Sequence, residues 1–151
     1  MRTIKFRAQC SASTEWVYGL PTTETTISNS ISHISQFSGD ERKFGRHNVK
    51  INPDTVGQFT GLKDKNGKEI YEGDIIRVNT YVNIQYEVFE PDELVAQEII
   101  TEVSYNELFG AFELITIEED LYLKSWGFYN EDENNDLEII GNIHENPELL
   151  K

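Results

Sequence analysis

Cysteine, long apolar runs and closely spaced histidines are all scarce in this sequence of 151 residues. The single cysteine, Cys10, has no partner for an internal disulfide, which agrees with a reducing compartment. No apolar run is long enough to cross a membrane, and no basic segment followed by an apolar one marks a leader peptide. We therefore expect a soluble protein that is made in the cytoplasm.

Sequence motifs for catalysis and for metal binding are missing as well. Zinc sites usually combine Cys and His in close pairs, whereas Cys10, His33, His47 and His144 are scattered. A Cys–His nucleophilic pair would have to assemble from distant positions, and we favour a small buried apolar role for the cysteine. The chain has no Gly-rich phosphate loop, no Gly-x-Ser-x-Gly and no His-Glu-x-x-His. We expect no enzyme activity and no cofactor, and we assign no catalytic, cofactor-binding or metal-binding residue.

Positive charge is scarce in the second half of the chain. The net charge is −14; residues 1–80 carry 11 basic and 9 acidic side chains, whereas residues 81–151 carry 2 basic and 18 acidic ones. Nucleic-acid binding is disfavoured because phosphates are neutralised by clustered Lys and Arg. We interpret the acidic half first as a solvated surface. The sharper alternatives are a docking face for a basic partner or a mimic of nucleic-acid charge.

Aromatic and β-branched residues are plentiful, which favours sheets over helix bundles. The segment 4–8 alternates apolar and basic residues and predicts a strand with one buried face. The segment 16–21 is its predicted partner, with Pro21 ending the pairing. The Ser/Thr-rich segment 22–48 is the part that we expect to be least ordered. Its isoleucines fit a short helix, a loop or an edge strand: Ile27, Ile31 and Ile34.

The clearest turn signals lie between residues 52 and 78. Asn52-Pro53-Asp54 predicts a turn after a short strand. Asn66-Gly67 predicts a tight hairpin with two positive φ angles. In Glu72-Gly73-Asp74 we predict that the glycine makes a bend and that a carboxylate accepts backbone N–H groups. The less favoured alternative is that the two carboxylates share a cation or act as an acid–base pair.

The remaining pattern predicts short strands separated by turns. A long hairpin is expected to have Gly110 at its tight position, and the segment 120–128 suits a short helix or a strand. Asn146-Pro147 predicts a terminal helical turn that buries Leu149 or Leu150. The predicted strands cover residues 81–90, 99–105, 111–117 and 137–143.

Taken together, the strands predict a mainly β fold, a small antiparallel barrel or sandwich in which an SH3-like barrel is one option. The predicted fold has one or two short helical segments. We expect one domain over residues 1–151, with an N-terminal β arm at 1–50 and a β core at 51–151.

Three segments in order, near the start, middle and end of the chain, resemble the YopX family of small phage and prophage proteins. They are residues 4–8, 55–76 and 138–150, with Gly110-Ala111-Phe112 between the last two. The resemblance implies a phage or prophage origin, a bacterial cytoplasm, a largely β fold and self-association into a homo-oligomer. It implies no established reaction.

Three functional hypotheses follow, of which an enzyme ranks last. The preferred one is a non-enzymatic accessory or interaction protein that self-associates and binds a host or phage protein through its acidic half or through the variable arm at 22–48. The alternative is a nucleic-acid-associated module in phage replication or gene control, suggested by the barrel-like pattern, the aromatics and a mildly basic cluster: Arg42, Lys43, Arg46 and Lys50. Several aromatics suit a stacking platform for single strands, although core positions are favoured because basic residues do not alternate with them: Trp16, Phe59, Tyr71, Phe109, Phe112, Trp126 and Phe128.

Overall fold

The computed structural model of the protein describes residues 3–22, 33–36, 47–83, 94–115 and 137–151. Ten strands make up most of these residues, and two short 3-10 helices span Pro53–Thr55 and Pro147–Leu150. In chain order the strands are β1 (Phe6–Gln9), β2 (Trp16–Thr22), β3 (His33–Gln36), β4 (His47–Lys50), β5 (Gly57–Lys63), β6 (Glu69–Tyr71), β7 (Asp74–Asn83), β8 (Leu94–Asn106), β9 (Ala111–Ile115) and β10 (Glu138–Asn142).

The predicted mainly antiparallel β fold is confirmed. The strands form one sheet in the order β4-β3-β2-β1-β5-β6 and another in the order β10-β7-β8-β9. Within the described ranges neither sheet closes into a barrel. The chain divides into two compact units, which are Met1–Leu62 with Glu69–Tyr71 (unit 1) and Lys63–Lys68 with Glu72–Lys151 (unit 2). The single domain with an arm at 1–50 and a core at 51–151 stays a prediction.

The β1–β2 hairpin of unit 1 confirms the predicted pairing of the first two strands. Phe6 lies opposite Gly19, and Gln9 lies opposite Trp16. The prediction of only one buried face on β1 is wrong, because Arg7 is buried as well as its neighbour Ala8. The apolar face contributes to a core made of Ala8, Val17, Ile34 and Ile51, with Phe6, Cys10, Val49 and Val56 packed around it.

Strand β2 runs past the proline that was expected to end its pairing. Pairing with β1 stops at Gly19, but Pro21 then pairs with Ile34 of β3. A proline loses only its N–H donor, and its carbonyl can still join a ladder. Ile34 is fully buried in an interior strand, so the helix, loop and edge-strand alternatives are all wrong at that position. Ile27 and Ile31 lie outside the described residues.

Gly19 permits an unusually close approach of β3 to β2. A Cβ placed on this glycine would lie 2.1 Å from the carbonyl oxygen of Ser35 and 2.9 Å from a side-chain carbon of Ile34. No real side chain fits at such distances. The absence of a side chain at position 19 is therefore what allows β3 to pair with β2.

The turn between β5 and β6 forms where predicted but with different geometry. Gly67 has a φ of +80°, whereas Asn66 keeps a negative φ, so the prediction of two positive φ angles is wrong. The Asp64 carboxylate accepts the N–H groups of Asn66 at 2.9 Å and Lys68 at 2.8 Å. Because these bonds close a three-residue loop, only its last residue needs the left-handed conformation.

Unit 2 is built on the long β7–β8 ladder, in which Ile75 lies opposite Glu102 and Val78 lies opposite Ile99. One face of the sheet carries Ile76, Val78, Ile99, Thr101 and Val103, all of them buried. Strand β9 extends the ladder, with Tyr105 opposite Phe112. Strand β10 confirms the predicted strand near the C-terminus and pairs with β7 through a register shift between Ile139 and Gly141.

The C-terminal turn forms as a 3-10 helix, as the Asn-Pro signal predicts, although Asn146 does not cap it. The Asn146 side chain instead accepts the N–H of Asn142 at 3.4 Å. Leu149 and Leu150 are half-buried rather than buried. Predicted structure at 84–90, 116–117 and 120–128 lies outside the described residues.

Candidate interaction surface

The β8–β9 turn, residues Asn106–Gly110, is called the hairpin tip below. The backbone N–H of Gly110 donates to the carbonyl of Asn106 at 2.8 Å. The Asn106 side-chain oxygen accepts the N–H groups of Leu108 at 2.9 Å and Phe109 at 3.3 Å. Gly110 has a φ of +64°, as its predicted tight position requires. The carbonyl and the side chain of Asn106 thus accept hydrogen bonds from the rest of the turn and close it.

The hairpin tip displays two consecutive large apolar side chains. Leu108 is 86% exposed and Phe109 is 67% exposed, and Tyr105 at the base of the turn is 42% exposed. Single exposed apolar residues are common on soluble proteins, but adjacent ones at the end of an ordered hairpin form a local apolar projection. The arrangement can insert into an apolar pocket of another molecule.

The base of the hairpin tip is anchored in unit 2. The rings of Tyr105 and Phe112 meet edge to face with centroids 5.2 Å apart, and Phe112 is buried. The Asn106 amide donates to both carboxylate oxygens of Glu113, at 3.0 and 2.9 Å. Asn106 thus links the turn backbone to the neighbouring strand, so the exposed pair stands on a fixed base.

Three carboxylates, Glu102, Glu107 and Glu113, accompany the hairpin tip and are called the acidic strip. Glu113 lies opposite Ser104, so it and Glu102 are diagonal neighbours on one face of the sheet. Glu107 is exposed within the turn itself. Burial, followed by the nearby Glu72 carboxylate, raises the pKa of Glu102. Among the described residues, none of the three lies within 4.0 Å of a Lys or Arg nitrogen.

Unit 1 holds a second group of aromatic side chains, the cation–aromatic face, made of Lys5, Arg7, Trp16, Tyr18, Phe59 and Tyr71. The Arg7 guanidinium carbon lies 4.6 Å from the ring centre of Trp16 and 5.1 Å from that of Tyr71. The Lys5 ammonium lies 5.4 Å from the ring centre of Phe59 and pairs with Glu69. The Tyr71 hydroxyl donates to Glu69 at 3.0 Å. Each of the two cations therefore lies against aromatic rings of unit 1.

Burial decides what the cation–aromatic face can do. Tyr71 is 2% exposed and Arg7 is 6% exposed. Burial, and then the hydrogen bond to Glu69, raise the pKa of the Tyr71 hydroxyl well above its usual range. Stacking of nucleic-acid bases needs accessible rings. Of the four rings, Tyr18 alone is exposed, at 47%. The arrangement therefore fits a structural layer better than a binding platform, although Lys5 and Arg7 do lie among these aromatic side chains.

The family model for the YopX protein matches residues 5–151, nearly the whole chain. The chain belongs to the YopX family. A solved structure with a similar fold is that of protein EF1440 from Enterococcus faecalis, which is 29% identical over 100% of both chains with a TM-score of 0.52. None of the curated proteins matches this chain. Among the described residues, no helix is both long and apolar enough to cross a membrane.

The cysteine and histidines of this YopX chain do not gather into a metal site in the described part of the structure, where no three potential ligands group together. Cys10 forms an isolated antiparallel backbone β-bridge with Ile51. Hydrogen bonds from the Ala12 backbone and from Ser13 lower the pKa of its thiol. His144 is exposed and uses its backbone N–H to bond the Asn142 side chain at 3.0 Å. Cys10 and His144 therefore both take part in hydrogen bonds within the turns where they lie.

Glu72, Gly73 and Asp74 form the predicted bend. Gly73 has a φ of +79°, its N–H donates to Val103 at 2.8 Å, and its carbonyl accepts the N–H of Ile143 at 2.9 Å. The glycine thus joins β8 to the segment after β10. Asp74 is buried, whereas Glu72 is half-buried. The bend is confirmed, and the acceptor role of the carboxylates stays a prediction.

Sequence patterns alone miss the exposure of the hairpin tip. They place Phe109 among the candidate stacking aromatics and indicate no role for Leu108. The available signal was the turn sequence itself, because two large apolar residues between Asn106 and Gly110 have few ways to reach a core. Of the other proposed stacking residues, Phe112 is buried in unit 2, and Trp126 and Phe128 lie outside the described residues.

Proposed function

We propose that this YopX protein is a non-enzymatic accessory protein, encoded by a phage or prophage, that binds another protein in the cytoplasm of a bacterial host. The observation that carries the proposal is the hairpin tip, where Leu108 and Phe109 are displayed on a hydrogen-bonded turn. Binding hot spots are typically large apolar or aromatic side chains that enter a pocket. A turn that is already ordered loses little conformational freedom on binding.

The proposal includes self-association, which the family resemblance implies. Sedimentation velocity at several protein concentrations measures it directly. We expect a species larger than the 17.4 kDa monomer. A monomer at every concentration would remove self-association from the proposal and leave the binding of another protein untouched.

The decisive experiment compares three full-length baits in lysates of several bacterial hosts at near-physiological salt. The baits are the wild type, the double variant Leu108→Ser/Phe109→Ser, and the control Ile4→Ser. Ile4 is an exposed apolar residue of unit 1, so its replacement also removes apolar surface. We expect a stoichiometric partner with the wild type and the control, and its loss with the double variant.

Two results would contradict the proposal. One is the recovery of no stoichiometric partner in any host. The other is equal recovery with all three baits, which would place binding away from the hairpin tip. Fluorescence anisotropy with single- and double-stranded DNA and RNA at low salt tests the nucleic-acid alternative, because electrostatic binding is strongest there. We expect no binding.

A further inference from the structure

The hairpin tip combines two features that select different properties in a partner. Leu108 and Phe109 are adjacent and largely exposed, and the hydrogen bonds of Asn106 and Gly110 close the turn beneath them. Because the turn is ordered in advance, its apolar surface is best buried in a concave pocket of matching depth. The first requirement on the partner is therefore an apolar pocket.

The acidic strip sets the second requirement. Glu107 lies between the two ends of the turn, and Glu102 and Glu113 lie on one face of the strands beneath it. No described Lys or Arg neutralises these three carboxylates. Unit 2 as a whole carries 6 basic and 21 acidic residues, a net charge of −15. A pocket rimmed by carboxylates would repel this surface, whereas Lys and Arg at the rim would attract it.

The same charge argues against other occupants of the tip. Anionic membrane surfaces and nucleic-acid phosphates both repel a strongly acidic surface. Two copies of the chain that met tip to tip would bring two units of −15 charge together. A heterologous protein with a basic rim meets both requirements at once.

We infer that the hairpin tip docks in an apolar pocket of a different protein, and that Lys or Arg side chains rim the pocket beside Glu107. The inference rests on the proposed function and names the chemistry of its partner. The apolar pair supplies most of the affinity, and the acidic strip sets the association rate and excludes acidic competitors.

The contact is mapped by replacing Phe109 with the photocrosslinker p-benzoylphenylalanine in the full-length protein and irradiating host lysate. The control has the same photocrosslinker at Ile4. Mass spectrometry identifies the adduct and the crosslinked segment. We expect an adduct at position 109, absent from position 4, on a segment lining an apolar pocket with Lys or Arg at its edge. An adduct only with a second copy of this chain, or no adduct at position 109, would overturn the inference.

The basic rim is tested with the identified partner in purified form. Raising the salt from about 0.05 M to about 0.5 M should weaken binding by about tenfold, because surface attractions are screened over a few ångströms at the higher value. Glu107→Lys should weaken binding by about tenfold at low salt and much less at high salt. Glu15→Lys, the same charge change at an exposed site of unit 1, should have little effect.

These outcomes separate the inference from the proposed function. Partner binding that depends on Leu108 and Phe109, but not on salt or on Glu107, would overturn the basic rim and leave the proposed function standing. Stronger binding of Glu107→Lys would overturn the rim in the same way. A partner retained by the Leu108→Ser/Phe109→Ser variant would contradict both.

Discussion

Two aromatic sites of this YopX protein, the cation–aromatic face of unit 1 and Phe109 of unit 2, differ in how far their rings are buried. In unit 1, Phe59 and Tyr71 are covered, and the cations Lys5 and Arg7 lie against their rings. In unit 2, Phe109 projects at the end of a turn with no described cation stacked on it. The comparison teaches that aromatic content alone does not locate a binding surface. The two cases differ in whether the ring is buried and packed against a cation of its own unit.

The largest expected effect is on stability when the cation–aromatic face loses its central ring. Tyr71→Ala should lower the free energy of unfolding by about 3–5 kcal/mol, because it removes a buried ring that contacts Arg7, Tyr18 and Phe59. Urea denaturation followed by tryptophan fluorescence measures the change. Phe109→Ala should stay within about 0.5 kcal/mol of wild type because the ring is exposed. Similar losses in the two variants would remove the distinction between the two units.

A smaller effect is expected when the cation of that face changes shape while its charge is kept. Arg7→Lys should lower the free energy of unfolding by about 1–2 kcal/mol, because an ammonium has no flat face to stack on the rings of Trp16 and Tyr71. Hydrogen exchange of the β1 and β2 amides would report the loss locally. Lys5→Arg serves as the matched control, since Lys5 is only half-buried. An unchanged exchange rate in Arg7→Lys would show that charge alone matters at this position.

In the β5–β6 turn, the Asp64 carboxylate stabilises the fold by accepting backbone N–H groups. Burial alone would raise the pKa of Asp64, but hydrogen bonds from Lys68, Ile139 and Asn66 outweigh it and lower the pKa. The ionised carboxylate therefore adds stability above its unfolded pKa, and this contribution is lost as the pH falls through the folded pKa. Asp64→Asn should cost about 1 kcal/mol at pH 7, with the difference shrinking in acid. A pH series of urea denaturation curves measures it, and a constant difference across the series would contradict the assignment.

The smallest expected effect concerns Glu102 in the acidic strip and has the opposite sign. Burial and Glu72 raise the pKa of Glu102, so the wild type loses stability as the pH rises through that folded pKa. Glu102→Gln should therefore be more stable than wild type by about a few tenths of a kcal/mol at pH 7, because solvent screens this partly exposed group. The gain should vanish below the unfolded pKa. Differential scanning calorimetry at pH 4 and pH 7 measures it, and Glu98→Gln is the control, since Glu98 pairs with Arg77 at 3.4 Å.

Local signals predicted much of the fold. The β1–β2 and β8–β9 hairpins follow from alternating strands and, in the second, from Gly110. The Asn-Gly signal misses the negative φ of Asn66, which follows from the nearby Asp64 carboxylate accepting the N–H groups of Asn66 and Lys68. The same carboxylate also accepts the N–H of Ile139 at 3.4 Å, 75 residues away in the chain. Contacts so distant in sequence leave no periodic pattern to detect.

The candidate surface was predicted less well than the fold. Both cations of the cation–aromatic face lie in residues 1–8, whereas the aromatic rings that they contact lie in β2, β5 and β6. The face is therefore visible only once the strand pairing is known. The excess of acidic residues after position 80 did point to unit 2. The exposure of Leu108 and Phe109 depends on the direction in which the turn projects, which the strand pattern does not specify.

The way the hairpin tip is closed has a consequence for how such a protein changes over generations. The hydrogen bonds that hold the turn come from the Asn106 side chain and from backbone groups, and the left-handed position is Gly110. The three side chains between them, Glu107, Leu108 and Phe109, take no part in those bonds. Three codons can therefore be rewritten without disturbing the scaffold. The surface that this turn presents can therefore change while the rest of the molecule stays under the constraints of folding.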